Sequence, residues 1–244
     1  MHRRYKAAAV AMAAVWIVTA VCLLSGGERE TPQGGITVTE KNINSGSEKL
    51  TIDIRLPVVS GFRDPGFERS LNAMIETQVF SALRSAEKAA DEFWSDFKAR
   101  GYEPWPYTFY AEYDVMSAEG IFSLRVTTLL YTGGPGMPET VCYNADTEKN
   151  ALLTLGDLFK NEAYKKKINA VIMGEMSKDP DRYLGDEPFS GVSGKTKFFV
   201  REGKLYITFA KYEVASGMTG EPEFLIPTEV IRGVLRREYR GIFS

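Results

Sequence analysis

"RDPGFERSLNAMIETQVFSALRSAEKAADEFWSDF", residues 63–97, decides the fold of this chain. Phe67, Leu71, Met74, Ile75, Val79, Leu83, Ala86, Ala90, Phe93 and Phe97 recur at steps of three and four, which lays one apolar stripe along a helix. At 3.6 residues per turn the helix runs for roughly nine turns. Asp64 is placed to cap it and Pro65 suits its first position, because a proline there gives up an N–H that has no helical partner anyway. Phe93, Trp94 and Phe97 read as core aromatics packed on a sheet.

On both sides of this helix the apolar period drops to two, the mark of half-buried strands. "ITVTEK" (36–41) and "KLTIDIRLPVV" (49–59) precede it and are expected to pair antiparallel. "PYTFYAEYDVMS" (106–117) and "IFSLRVTTLLYT" (121–132) follow it as a hairpin turning at Ala118-Glu119-Gly120. "TGGPGMP" (132–138) leads into a further strand, "TVCYNAD" (140–146). A phosphate-cradling loop must feed a helix N-terminus, whereas this one joins strand to strand and has no lysine, so it reads as a corner. Further on, "LLTLGDLFKNEAYKKKINAVIMGEM" (152–176) gives a short turn and a second helix capped by Asn161, with Tyr164, Ile168, Val171, Ile172 and Met176 buried. Lys165, Lys166 and Lys167 fall mostly on its wet side. A hairpin with Glu202-Gly203 at its tip follows, and "EPEFLIPTEVIRGVLRREY" (221–239) supplies a last strand and a C-terminal helix starting near Thr228. The expected class is α+β, with antiparallel sheets packed against one long and two shorter helices.

The charges nearly balance, 30 Lys plus Arg against 32 Asp plus Glu, so the chain lacks the positive field that nucleic-acid binding needs. Its single histidine is His2, which leaves the rest of the chain without a His-based metal site or a His-activated nucleophile. No cofactor is expected. Arg3, Arg4 and Lys6 precede an apolar run from Ala7 to Leu24, about 27 Å long as a helix and close to the thickness of a bilayer's hydrocarbon. The expected organisation is a cytoplasmic tail (1–6), a transmembrane anchor (7–25) and a linker (26–35), with the C-terminal part outside the cell. A cleaved signal peptide is the alternative to the anchor. Cys22 lies in the apolar run and Cys142 reads as a small buried hydrophobe, so no bridge between them is expected.

Three stretches carry a resemblance. "YTGGPGMPETVCYNADTEKNALLTLGDLF" (131–159) shows a Y-x-GG turn, a Y-N strand and a T-L-x-D-L-F helix start. "YITFAKYEVASGMTGEPEFLIPTEV" (206–230) adds Y-E-x-A and P-E-F-x-I-P, and "IDIRLPVVSGFRDPGFERSLNAMI" (52–75) adds P-x-x-x-G before a long helix. In this order they resemble the extracytoplasmic region of the anti-sigma-V factor family, a domain pair also found as an accessory region in peptidoglycan deacetylases.

The resemblance implies two modules, 36–130 and 131–244, and a non-catalytic, lysozyme-recognising or cell-wall-associated role. Its ligand would be a protein such as lysozyme, or peptidoglycan, and because turns carry recognition more often than strands the candidate partner contacts are Tyr131, Gly133, Gly134, Pro135, Gly136, Met137, Tyr212 and Met218. Where the family often has a histidine after the paired glycines, this chain has Pro135. A sigma-holding interface takes about 20 residues or more a side, and Met1 to Lys6 offers six, so direct sigma inhibition is not expected. The alternatives are a carboxylate-dependent cell-wall glycan enzyme using Glu112, Asp114, Glu221 or Glu223, or a structural subunit of an envelope complex.

Overall fold

The computed structural model describes residues 35–183 and 189–243. The expected tail, anchor and nearly all of the linker, residues 1–34, lie outside the described residues. Among the described residues no helix is long and apolar enough to cross a membrane. Residues Gln33–Ser244 form one compact unit.

The long helix is α1, Pro65–Ala99. Asp64 caps it by accepting a hydrogen bond from the Gly66 amide at 2.7 Å, and Pro65 opens it. Glu68 in its first turn accepts from the Gly61 and Phe62 amides and so closes the turn that enters the helix. Leu71, Ile75, Val79, Ala86 and Ala90 form its buried stripe, while Met74 is 38% exposed and falls outside it.

Six strands make the sheet that α1 covers: β1 (Thr37–Gly46), β2 (Leu50–Ser60), β3 (Tyr107–Ser117), β4 (Ile121–Tyr131), β5 (Glu139–Asp146) and β6 (Ala151–Leu152), in that spatial order. One pairing corrects the antiparallel expectation. β2 and β3 run parallel, from Leu50 opposite Tyr107 to Ile54 opposite Ala111. Parallel neighbours need a long crossover between them, and α1 is that crossover, so the sheet is mixed. A second helix, α2 (Ala163–Met176), follows a 3-10 turn at Leu155–Leu158. The Asn161 carboxamide accepts from the Ala163 amide at its start, and Tyr164, Ile168 and Ile172 are buried. β7 (Phe198–Arg201), β8 (Lys204–Thr208) and β9 (Glu223–Ile226) form a separate antiparallel sheet. The expected C-terminal helix is shorter than its pattern suggested. α3 spans only Thr228–Ile231, after which the chain leaves the helix so that Leu235 bridges to Phe159.

Two hydrophobic clusters lie on opposite faces of the six-stranded sheet, and β4 divides between them. Phe122, Leu124 and Val126 belong to the α1 cluster, together with Ile54, Leu56, Phe109 and Tyr143. Ile121 belongs to the other, with α2, the three-stranded sheet and the C-terminal segment. β4 is thus buried on both sides at its start, which is why "IFSL" carries four buried residues in a row instead of alternating.

The junction between the two sheets is polar. The buried Ser123 hydroxyl donates to Asn144 Oδ1 at 2.6 Å and accepts from the Val200 amide at 3.0 Å. Asn144 Nδ2 donates to the Phe198 carbonyl at 2.8 Å. Side chains therefore supply the partners that β7 lacks at its outer edge, and no further strand is needed there. Asn144→Ala leaves the Phe198 carbonyl and the Ser123 hydroxyl without these partners in a dry place. The expected loss is about 1–3 kcal/mol of unfolding free energy, read by urea denaturation, and an unchanged midpoint would refute the role given to Asn144.

A second network ties the C-terminal segment to β5. Asp146 accepts from the Glu148 and Lys149 amides, from Tyr239 OH at 3.0 Å and from Lys149 Nζ at 3.2 Å. Burial alone would push its carboxyl up, but these bonds to the Lys149 amide, Tyr239, Lys149 Nζ and the Glu148 amide outweigh it and hold the group below its ordinary 3.8. In acid the unfolded chain then binds this proton first. The stability contributed by Asp146 is complete above its ordinary value and is lost as pH falls through the lower native one. Asp146→Asn is expected to flatten the acid limb of a stability profile below about pH 4. An acid limb as steep as that of the unsubstituted chain would contradict this.

Cys142 sits partly buried on β5. Burial pushes its thiol up to about 11, so it is almost wholly protonated at neutral pH and a poor nucleophile.

Candidate partner-binding surface

The loop that joins β4 to β5, residues 132–138, turns where glycine is required. Gly133 has φ of 101°, a conformation that side-chain-bearing residues rarely adopt, and it passes the Trp105 indole. Trp105 Nε1 donates to the Thr132 carbonyl at 3.2 Å and so holds the near side of the loop. At Gly136 a Cβ would meet Leu129 Cδ1 at 2.3 Å, so the backbone can lie on Leu129 only without a side chain. Gly134 and Pro135 are exposed along the same loop.

The second turn lies between β8 and β9. Its Lys211 Nζ donates to the Gly136 carbonyl at 2.9 Å, which ties the two turns together across 75 residues of sequence. Lys211 also lies 5.3 Å from the Tyr212 ring centre, a cation–π distance. Tyr212 is held at φ of 71°, an uncommon conformation for a residue with a side chain. A Cβ at Gly217 would come within 2.3 Å of its ring, so glycine alone lets the turn close over the tyrosine.

What these turns offer to solvent is apolar. Tyr131 is 45% exposed, Met137 58%, Tyr212 47% and Met218 100%. Of the eight candidate contact residues, Gly136 and the 211–212 turn are in direct register through Lys211, and Gly133 adjoins Trp105.

The sequence reading missed Trp105 and Tyr102, which are 47% and 61% exposed. Trp105 packs at 5.0 Å from Phe93 and 5.5 Å from Phe97, and Tyr102 at 5.7 Å from Phe97. Phe93, Trp94 and Phe97 are therefore half-buried, and Phe93 and Phe97 form an aromatic cluster at the end of α1 beside the loop, which corrects their assignment to the core. The signal was available in "EPWPY" (103–107), an aromatic held between two prolines, where neither a helix nor a central strand can form.

Three of the four candidate carboxylates are engaged by other side chains. Glu112 pairs with Arg55 at 2.8 Å, Glu223 pairs with Arg125 and with Arg201, and Glu221 accepts from the Thr140 hydroxyl. Asp114 lies opposite Arg125 in the β3–β4 register. Among the described residues no group of three His, Cys, Asp or Glu side chains is placed to hold a metal ion.

With this geometry in hand, two family models match successive parts of the chain. Residues 43–135 match the model described as deacetylase PdaC, and residues 156–229 match that of a protein of unknown function, DUF3298. One segment of the chain thus resembles a PdaC module and a later one a DUF3298 module. The anti-sigma-V factor RsiV of Bacillus subtilis (strain 168) is 29% identical over 211 residues, 81% of this chain and 70% of that protein. The peptidoglycan-N-acetylmuramic acid deacetylase PdaC of the same strain is 28% identical over 116 residues, 45% of this chain but only 25% of the deacetylase.

Two solved structures share the fold. A DUF3298-family protein from Bacteroides fragilis NCTC 9343 superposes with a TM-score of 0.62 at 16% identity, over 83% of this chain and 94% of that one. Another from Pseudomonas aeruginosa PAO1 gives 0.54 at 17% identity, over 86% and 96%. The candidate surface draws on both matched segments. Trp105 and Tyr131 come from the segment matching PdaC and Tyr212 and Met218 from the segment matching DUF3298, and Lys211 of the latter holds Gly136, one residue beyond the former.

Proposed function

We propose that this chain is a membrane-anchored, extracytoplasmic and non-catalytic binding domain of the cell envelope, whose PdaC–DUF3298 pair recognises a protein ligand such as lysozyme, or peptidoglycan. Residues 1–6 are assigned to the cytoplasm, 7–25 to the membrane, and 36–130 and 131–244 to the two modules. The similarity to an anti-sigma-V factor supports a protein-binding role. One observation carries the reading to a place on the molecule: two turns far apart in sequence, locked by Lys211 on Gly136, present Tyr131, Met137, Tyr212 and Met218 to solvent. Exposed aromatics and methionines held on rigid turns are what recognition surfaces are built from. The arginine partners of Glu112 and Glu223 favour binding over glycan hydrolysis, because a retaining or inverting pair needs two carboxyls facing one sugar.

The test is calorimetry of residues 33–244 against hen lysozyme, with sedimentation on purified peptidoglycan in parallel. Micromolar or tighter binding to lysozyme is the expected result. Retention on peptidoglycan alone would assign the ligand to the wall, and binding to neither would overturn the proposal.

A further inference from the structure

α2 has a second exposed feature that the surface described above does not use. A groove of about 610 Å³ opens between α2 and α3, with a floor of Ala163, Ala170, Val171 and Val230 and with Lys166 and Lys167 in its lining. The two lysines are exposed, and neither has an ion pair among the described residues. Their neighbours differ. Lys165 is bound to Glu162, and Lys178 to Glu175, so the nearby carboxylates of α2 are already engaged. Glu229 adjoins Val230 in sequence but does not line the groove. The result is a concave apolar floor beside two unengaged positive charges.

We infer that this groove between α2 and α3 docks an acidic amphipathic segment of a partner protein. The chemistry of the lining selects this occupant. A purely polar anion would leave the Ala163, Ala170, Val171 and Val230 floor without complement, and a purely apolar ligand would leave Lys166 and Lys167 unused. A second copy of this chain docking the same face on itself would set these lysines against their own counterparts. A lipid surface would meet the lysines, but a bilayer anchors on protruding large apolar side chains, and here the apolar part is a concave floor of alanine and valine. A knob from a helix or turn can reach that floor while carboxylates on either side of it meet the lysines. The inference is independent of lysozyme recognition, since the groove on α2 and α3 shares no residue with the two turns.

The experiment uses residues 33–244, the compact unit that carries both hydrophobic clusters. The probe is a fluorescein-labelled 18-residue peptide with leucine at positions i, i+3, i+4 and i+7 and glutamate elsewhere, read by anisotropy at low and at physiological salt. Saturable binding is expected, at least tenfold weaker for Lys166→Glu/Lys167→Glu and for Ala170→Glu, and weaker in salt. All three positions are exposed lining residues on a helix, so circular dichroism and the urea midpoint should match the unsubstituted protein. A control peptide with lysine for every glutamate should not bind. Equal binding of the two peptides, binding unaffected by either variant, or no binding at all would overturn the inference. Binding to phosphatidylglycerol vesicles without binding to the glutamate peptide would overturn it in favour of a membrane.

Discussion

Truncating Phe122 to alanine lowers the free energy of unfolding by about 3–5 kcal/mol, the largest stability effect expected of any single change described here. Phe122 is fully buried on β4 and faces α1. Its ring meets Phe62 edge-on with centres 5.7 Å apart, and Phe62 meets Phe67 in the same way at 4.9 Å. Phe67 is in the first turn of α1, so these three rings join the sheet to the start of the helix. Removing the sheet end of such a stack deletes both the transferred apolar area and the edge-to-face contact with Phe62, and the rigid sheet cannot collapse to fill the space. Leu225 on β9 provides the contrast. It is 43% exposed, and its truncation should cost within about 0.5 kcal/mol. Urea denaturation of both variants checks the assignment, and equal costs would mean that the β4 face has been wrongly assigned to the α1 core.

The second large effect concerns binding. Replacing Tyr212 with alanine and Met218 with glutamate together should weaken the lysozyme complex about 100-fold, or roughly 2.7 kcal/mol. Tyr212 brings a rigid aromatic surface held in place by Gly217 and Lys211, and such residues dominate interface energetics. Met218 is fully exposed, so a glutamate there costs the free protein little and places an unpaired charge in the contact. The urea midpoint should move little. Wild-type affinity in this variant would remove the 210–220 turn from the interface.

What could be read from the sequence follows the range over which each physical cause acts. The apolar stripe, the Asp64 cap and the Pro65 start are local, and α1 forms where they place it. The Ala118–Gly120 and Glu202–Gly203 turns are local too, and Gly120, Glu202 and Gly203 all take the positive φ that such turns require. Strand pairing is not local. Nothing in the period of "KLTIDIRLPVV" or "PYTFYAEYDVMS" says that they run parallel as neighbours, because that depends on α1 folding back over the sheet. Equally, β4 carries one apolar pattern for α1 and another for the second core, and the sum looks like a plain hydrophobic run.

For the site, the glycine-rich turns were legible as turns, but the bond between Lys211 and Gly136 joins residues too distant in sequence for any spacing rule. Trp105 was hidden because aromatic residues close to a long amphipathic helix read as core. The prolines on either side of it were the better guide.

Hydrogen exchange of residues 33–244, measured with and without saturating hen lysozyme, tests the central claim most directly, since it reports at once whether a protein ligand binds and where. The account predicts slowed exchange in peptides covering residues 131–138 and 210–220, with 102–107 alongside, and no change in α2. Protection confined to other surfaces, or none at lysozyme concentrations that saturate calorimetric binding, would contradict it.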